Sequence, residues 1–184
     1  QQAERAAQWL EGQRISIVLS SSLQRASETA EIITSHLGLD GVEMCEELME
    51  IDIGLFSGLR WDEVEEHHPH EQRDFFRYWW DGVPGAESSE KLYGRGEAVW
   101  RLLFDKCRQG ERNILAVTHS GLLQWIVKAT LDNRRWFPVL PMSNCCVYKL
   151  TVNNQLVPPT AQVPETTPYH TWRWELMGHR VTDG

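Results

Sequence analysis

The sequence predicts an α/β fold, and two strand-to-helix transitions carry this prediction. Residues 114–117 are an unbroken apolar run, which is typical of a short strand buried on both faces, and apolar residues then recur at helical spacing up to Leu131. Residues 15–19 are a second β-branched and apolar run, and another helical pattern follows them. The chain of 184 residues, 41% hydrophobic and 24% charged, has the size and composition of one globular domain of this class.

Charge and hydropathy argue against several classes of partner. The formal net charge of -8 disfavours nucleic acid, although a local cluster of Arg side chains and backbone donors can still bind a small anion. No apolar run approaches the ~20 residues that cross a membrane, and no signal-peptide pattern occurs in these residues. The four cysteines lack the spacing of zinc ligands. We therefore expect a cytoplasmic protein with reduced thiols and no membrane partner, unless an upstream segment directs it elsewhere.

The first part of the chain alternates helices and strands. Apolar residues recur at offsets of three and four from Ala3 to Leu10, so we expect the chain to begin inside a helix, with an upstream portion before it. The three serines at 20–22 are candidates for the N-cap of a helix that ends at Gly38. Arg25 falls in the first turn of this helix, ~120° from its apolar stripe.

The remaining elements continue this alternation. Gly54 and Gly58 lie among apolar residues and indicate an ordered loop rather than a helix over 48–59, while Gly94 and Gly96 disfavour the first half of a later helix. The other expected elements are helices over 61–68, 71–80 and 88–110, a strand over 145–152 with a turn at Asn153–Asn154, and an extended tail over 153–184 that Trp172 and Trp174 anchor.

Three side chains stand where an α/β sheet can bind a ligand. His119 and Arg25 each follow a predicted strand closely, so both lie near the carboxyl ends of strands. The backbone N–H groups of the helix that begins near Ser120 would face the same place and favour an anion there. Glu50 lies in the glycine-bearing loop. Each residue alone is also consistent with an ordinary core or surface position, but together they can converge on one anion.

Two further groups of side chains suggest functional hypotheses. His67, His68 and His70 raise the possibility of a metal site, but adjacent histidines rarely converge on one ion without fixed partners, and we expect none. Aromatic residues between 61 and 80 can form a lid against an apolar substrate or pack into the core. Of these two interpretations the sequence favours the core.

Four segments follow one another in a specific order: 21–30 (SSLQRASETA), 48–58 (LMEIDIGLFSG), 84–88 (PGAES) and 117–121 (VTHSG). In this order they resemble the motifs of the histidine phosphatase superfamily, and within it the small-molecule phosphatases. The resemblance covers residues 1–152. It implies a phosphoglycerate mutase-like fold of three layers, in which helices flank a mostly parallel central sheet.

The resemblance also implies roles for residues in these motifs. Arg25 would grip the phosphoryl oxygens, and His119 would stabilise the charge on the transferring phosphoryl group with the helix-start amides near Ser120. Glu50 would donate a proton to the leaving oxygen and then help to activate water. Glu87 matches a motif position and would support the residues that touch the substrate. Ser120 stands where relatives usually have glycine, and its side chain would narrow the phosphate pocket.

One motif of the family does not occur in these residues. The nucleophile of the family is a histidine in an Arg-His-Gly triplet at the end of the first strand, and the chain contains no such triplet. The resemblance therefore places the first central strand and the nucleophile upstream of Gln1. We expect residues 1–184 by themselves to be inactive, and the whole protein to be an enzyme.

The function that the resemblance implies is hydrolysis of a small phosphorylated molecule through a phosphohistidine, with no metal or other cofactor. A phosphoglycerate mutase is one alternative, which the close spacing of Glu50 to Gly58 and the short insertion over 60–82 disfavour. A pseudophosphatase that binds phosphorylated partners without turnover is the other. The identity of the substrate stays open, and so does assembly as a homodimer.

Overall fold

The computed structural model describes residues 1–157 and 167–181. Residues 3–140 form one compact unit, and the described residues from 141 onward form a second. The helices and strands are α1 (Gln2–Leu10), β1 (Ile17–Ser20), α2 (Gln24–Leu37), β2 (Val42–Met44), α3 (Trp61–His67), α4 (Pro69–Tyr78), α5 (Ser89–Arg108), β3 (Ile114–Val117), α6 (Ser120–Thr130), β4 (Val147–Val157) and β5 (Thr167–His179).

A parallel sheet lies at the centre of the first unit. Its strand order is β2-β1-β3, with Val18 opposite Val42 on one side and Ser20 opposite Val117 on the other. Val18 is fully buried, and helices flank the sheet, which confirms the predicted α/β fold. Because β1 and β3 are parallel and in register, their carboxyl ends lie side by side. The segments that follow these two strands are thereby brought together.

The helix after β1 confirms one part of its prediction and corrects another. α2 buries Ala26, Ala30 and Ile33 on one face and ends at Gly38, whose φ of 67° is the left-handed conformation of a helix C-terminus. The prediction that a serine caps its N-terminus is wrong: the N-cap is Leu23, and no side chain caps this end. The serine at 21 is instead fully buried and has a different partner, described below.

The close packing of α5 against α6 explains why a glycine, which disfavours a helix, occurs in the first half of α5. α5 begins after Ser88, whose Oγ accepts a hydrogen bond from the amide of Lys91 as expected of an N-cap. A Cβ at Gly96 would lie 2.5 Å from the carbonyl oxygen of Trp125 in α6. The absence of a side chain at residue 96 therefore allows the two helices to approach, and this packing offsets the low helix propensity of glycine.

The second unit contains an antiparallel pair of strands, β4 and β5. The turn predicted at Asn153–Asn154 is wrong, because β4 continues through both residues and pairs them with Thr171 and His170 of β5. The strand starts later than predicted, since Cys145 has a φ of 53°, which is incompatible with extended backbone. The parts of the predicted tail at 158–166 and 182–184 lie outside the described residues, and the domain boundary between 152 and 153 stays a prediction.

The aromatic residues of the first unit divide between the core and the surface. Phe75 and Trp80 are buried and their rings lie 4.7 Å apart, which confirms the core interpretation for these two. Trp61 and Tyr78 are each nearly half exposed. Throughout residues 1–157 and 167–181, no helix is long and apolar enough to cross a membrane, and no three His, Cys, Asp or Glu side chains are grouped so as to hold a metal ion.

Candidate active site

The side chains of Arg25 and His119 contact each other at the carboxyl end of the sheet. The Nε of Arg25 donates a hydrogen bond of 3.1 Å to the Nδ1 of His119, although the two residues are far apart in sequence. β1 and β3 are adjacent and parallel, so the first turn of α2 and His119, the second residue after β3, meet at the same edge. His119 is 8% exposed, whereas Arg25 lies at the surface, so a buried imidazole stands beneath a solvent-facing guanidinium.

A second hydrogen bond fixes the orientation of the imidazole ring. The Nε2 of His119 lies 2.8 Å from the Oγ of Ser21, which is fully buried. Since the Nδ1 accepts from Arg25, the proton of a neutral ring is on Nε2, and Nε2 donates to Ser21. The Oγ of Ser21 also accepts from the amide of Leu23, at 3.2 Å. The ring therefore has one tautomer and one orientation, with Nδ1 directed toward Arg25.

Burial and a neighbouring charge both favour the neutral form of His119. Burial lowers the pKa of His119 below its ordinary value of 6.5, and the Arg25 guanidinium lowers this pKa further. The negative charge of Glu50 acts in the opposite direction, which shows that this carboxylate is within electrostatic reach of the ring. A neutral ring with an accepting Nδ1 agrees with the hydrogen bond that Arg25 donates.

Glu50 is seated at the N-terminus of α6. Its Oε1 accepts hydrogen bonds from the amide of Ile51, at 3.0 Å, and from the amide of Leu122 in the first turn of α6, at 3.2 Å. The free amides and the dipole of a helix N-terminus favour a negative group at this place. The sequence predicted an anion at this helix start, and in the structure the chain supplies one itself, as the carboxylate of Glu50.

Two glycines make room for Glu50 and for its loop. A Cβ on Gly121 would lie 2.6 Å from the Oε1 of Glu50, so a larger residue at this position would displace the carboxylate. Gly54 has a φ of 55°, and a Cβ there would lie 2.2 Å from the amide nitrogen of Ala86. Gly54, together with Gly58 at a φ of 80°, confirms the prediction of an ordered loop with special backbone angles.

The structure brings most of the predicted site residues to one edge of the sheet. Arg25 and His119 are in direct contact, Glu50 lies at the start of the helix that follows His119, and Ser120 is the exposed first residue of that helix. The sequence analysis missed Ser21 as the partner of the imidazole, since it considered this serine only as a helix cap. It also missed Gly121, for which the only signal in the sequence was a glycine beside the histidine.

Comparison with known proteins identifies the family. The model of the histidine phosphatase superfamily (branch 1) matches residues 1–157. Phosphoglycerate mutase-like protein 4 of Arabidopsis thaliana is 34% identical over 153 residues, which are 82% of this chain and 66% of that protein. The probable phosphoglycerate mutase GpmB of Salmonella choleraesuis is 29% identical over 152 residues, which are 82% and 69%. The chain thus spans about two thirds of the length of these curated relatives.

Solved structures show the same fold. A mycobacterial glucosyl-3-phosphoglycerate phosphatase has a TM-score of 0.75 at 22% identity, covering 97% of this chain and 83% of its own. The alpha-ribazole phosphatase of Shigella flexneri has a TM-score of 0.71 at 22% identity, covering 83% and 75%. At these identities the similarity concerns the fold alone. The match to the family model covers most of the chain and confirms the resemblance of its motifs, and the chain belongs to branch 1 of the histidine phosphatase superfamily.

Proposed function

We propose that the protein containing this chain is a phosphomonoesterase that acts on a small phosphorylated molecule through a phosphohistidine. The observation that carries this proposal is the contact between Arg25 and His119 beside the carboxylate of Glu50. A guanidinium and an imidazole at one point can bind the oxygens of a phosphoryl group. A carboxyl group nearby can transfer a proton to the leaving oxygen. Family membership and the phosphatase names of the structural neighbours support it.

Each residue has one role in the proposed reaction. A histidine upstream of residue 1 attacks the phosphorus atom. As the bond between phosphorus and the substrate oxygen breaks, that oxygen takes the electron pair and a proton from Glu50 and leaves as an alcohol. Water then attacks the phosphohistidine and gives a proton to Glu50, and the phosphorus–nitrogen bond breaks to release phosphate. Arg25 and Ser120 bind the phosphoryl oxygens throughout. As the phosphoryl group binds, His119 takes up a proton from solvent, so that its Nδ1 donates to an oxygen of that group instead of accepting from Arg25.

The edge of β3 supports a nucleophile outside these residues. Within the described ranges, β1 is the one strand that is hydrogen-bonded to β3. The residues of β3 are all apolar, yet each is only partly buried. An all-apolar strand is typical of one covered on both faces of the sheet, whereas every residue of β3 is only partly covered by the described part of the chain. We place the strand that carries the nucleophile against this edge. The cytoplasmic location and a homodimer stay predictions from the sequence.

The test is turnover of 4-nitrophenyl phosphate by the full-length protein. We expect Arg25→Ala and His119→Ala each to lower kcat/KM by about 100-fold or more, since each removes a donor to the transition-state charge. Arg108→Ala and His36→Ala are the matched controls, because both residues lie on the surface, where Arg108 pairs with Asp105 and His36 contacts Glu11. Full activity in both site variants would refute the proposal.

A phosphoglycerate mutase is the second candidate, because the curated relatives carry mutase names. An assay for interconversion of phosphoglycerates separates the two functions, since a mutase returns the phosphoryl group to the substrate and a phosphatase transfers it to water. A protein that only binds phosphorylated partners would show neither activity. Such a protein would lack an Arg-His-Gly triplet upstream of Gln1, whereas both enzymatic candidates require one.

A further inference from the structure

A largely buried ion pair between Arg95 of α5 and Glu87, two residues before this helix, lies against the loop that carries Glu50. The carboxylate of Glu87 is only 8% exposed, and the guanidinium of Arg95 donates to its Oε2 through Nη1. Lys91 also approaches Glu87, with Nζ 3.4 Å from Oε1, but its side chain is 67% exposed. Arg95, whose side chain is 20% exposed, is therefore the less exposed and closer of the two cationic partners of this buried carboxylate.

Both members of the pair also bind the backbone on either side of Glu50. The Nη2 of Arg95 donates to the carbonyl oxygen of Met49, the residue before Glu50. The Oε2 of Glu87 accepts from the amide of Asp52, at 3.0 Å, and the amide of Glu87 donates to the carbonyl of Asp52, at 2.9 Å. Residue 49 is thus hydrogen-bonded to α5, and residue 52 is hydrogen-bonded to Glu87, just before this helix. The segment between them, which carries Glu50, has little freedom to move.

The hydrogen bonds of Glu50 itself distinguish its two oxygens. Oε1 accepts from two backbone amides, those of Ile51 and Leu122. A protonated carboxyl group accepts at its carbonyl oxygen and carries its proton on the other oxygen. In the protonated form that acts as the proton donor, Oε1 remains the accepting oxygen, so the transferable proton is on Oε2. The position of Oε2 then depends on how firmly the loop backbone is held.

We propose that Glu87 and Arg95 are positioning residues that aim the Oε2 of Glu50 at the leaving oxygen of the substrate. This inference rests on the proposed phosphatase function. Arg95 acts on Glu50 through the carbonyl of Met49, and Glu87 acts through the amide of Asp52. In the reaction the Oε2–H bond breaks as the bond between phosphorus and the leaving oxygen breaks, so that oxygen departs as a neutral alcohol. Neither Glu87 nor Arg95 touches the substrate.

The test compares two substrates of the full-length protein that depend differently on proton donation. Glycerol phosphate has a poor leaving group that needs the proton, whereas the nitrophenolate of 4-nitrophenyl phosphate leaves readily without it. The quantity to measure is kcat/KM, because it reports the first phosphoryl transfer and not the later hydrolysis. Arg95→Lys keeps a charge for Glu87, but a single ammonium cannot also bind the Met49 carbonyl as the planar guanidinium does.

We expect Arg95→Lys to lower kcat/KM for glycerol phosphate by about 10- to 100-fold and that for 4-nitrophenyl phosphate by less than about threefold. Glu50→Gln should show the same selectivity more strongly. Lys91→Met, which removes the exposed cation beside Glu87, should leave both values unchanged. Should Arg95→Lys fail to fold, Glu87→Gln is measured in the same way, since it keeps an acceptor for the Asp52 amide and weakens the hold of Arg95.

The outcomes separate the positioning role from the function on which it rests. Equal losses for both substrates in Arg95→Lys, or no loss for either, would overturn the positioning role if Glu50→Gln still selects against glycerol phosphate. If Glu50→Gln itself affects both substrates equally, the proton-donor role of Glu50 fails, and the inference fails with it. A merely structural role of Arg95 lowers the melting temperature without changing the ratio between the two substrates.

Discussion

The Oγ of Ser21 and the Nε2 of His119 lie 2.8 Å apart, and both groups are buried at the carboxyl ends of neighbouring strands. The two residues are 98 positions apart in the sequence. This hydrogen bond and the one from Arg25 to Nδ1 together satisfy both nitrogens of the ring. The imidazole is therefore positioned before any ligand binds, and part of the cost of ordering the site is met by folding.

Replacement of Ser21 by alanine should harm both stability and activity. The variant leaves the Nε2–H of a buried ring without an acceptor, which costs about 1–3 kcal/mol of unfolding free energy. It also releases the ring orientation, so we expect kcat/KM for 4-nitrophenyl phosphate to fall by about tenfold or more. Urea denaturation and steady-state kinetics measure the two effects. Ser22→Ala is the control, since Ser22 is exposed, and an equal effect in both variants would contradict the prediction.

The stability of the protein should decrease below pH 6.5 because of His119. Its pKa is lowered in the folded state by burial and by Arg25. Between this lowered pKa and the ordinary value of 6.5, the unfolded chain binds a proton at this ring that the folded protein does not. The free energy of unfolding therefore falls as the pH drops through this window and is unaffected by this group above it.

Urea denaturation of the full-length protein across this range measures the effect. His119→Gln keeps polar atoms at this position but cannot titrate, so the difference in unfolding free energy between wild type and variant should shrink as the pH is lowered. A difference that stays constant from pH 8 down to pH 5 would show that the ring titrates equally in both states. Such a result would remove the physical basis for a neutral His119.

Replacement of Gly121 by alanine should displace Glu50. The new Cβ would lie 2.6 Å from the Oε1 of Glu50 and 2.7 Å from the Cγ1 of Ile51, so these two side chains must shift. Overpacking of this kind costs about 1–3 kcal/mol, and loss of the Leu122 hydrogen bond should lower activity against glycerol phosphate by about tenfold or more. Gly41→Ala is the control, because no atom lies within 4 Å of a Cβ there.

Two glycines in α5 should respond to alanine with opposite signs. At Gly94 a Cβ meets nothing within 4 Å, so Gly94→Ala should stabilise the protein by about 0.5–1 kcal/mol through higher helix propensity. At Gly96 the Cβ would lie 2.5 Å from the Trp125 carbonyl oxygen, and Gly96→Ala should destabilise by about 1–3 kcal/mol as α5 and α6 separate. The melting temperatures of the two variants, each compared with that of the wild type, test these opposite signs. Equal shifts in both variants would contradict the packing explanation.

The errors of sequence interpretation share one physical cause. Asn153 and Asn154 have the composition of a turn, but pairing with β5 keeps them extended, and that partner strand lies later in the chain. Ser21 is a residue type that often caps helices, but its hydroxyl is hydrogen-bonded to the His119 ring at the same end of the neighbouring strand β3. In both cases a contact between distant residues overrides a local preference.

The sequence by itself determined the helices of the first unit, two of its three strands and the family, whereas the short strand β2 was not predicted. Apolar periodicity depends on neighbours within a few residues, so β1, β3 and the helices after them could be read from it, and the order of the motifs around Arg25, Glu50 and His119 indicated the histidine phosphatase superfamily. Only the tertiary structure decided which groups meet: the Ser21 hydroxyl under the imidazole and the Arg95 guanidinium on the Met49 carbonyl. Such contacts depend on the pairing and packing of distant segments, for which local sequence carries no signal.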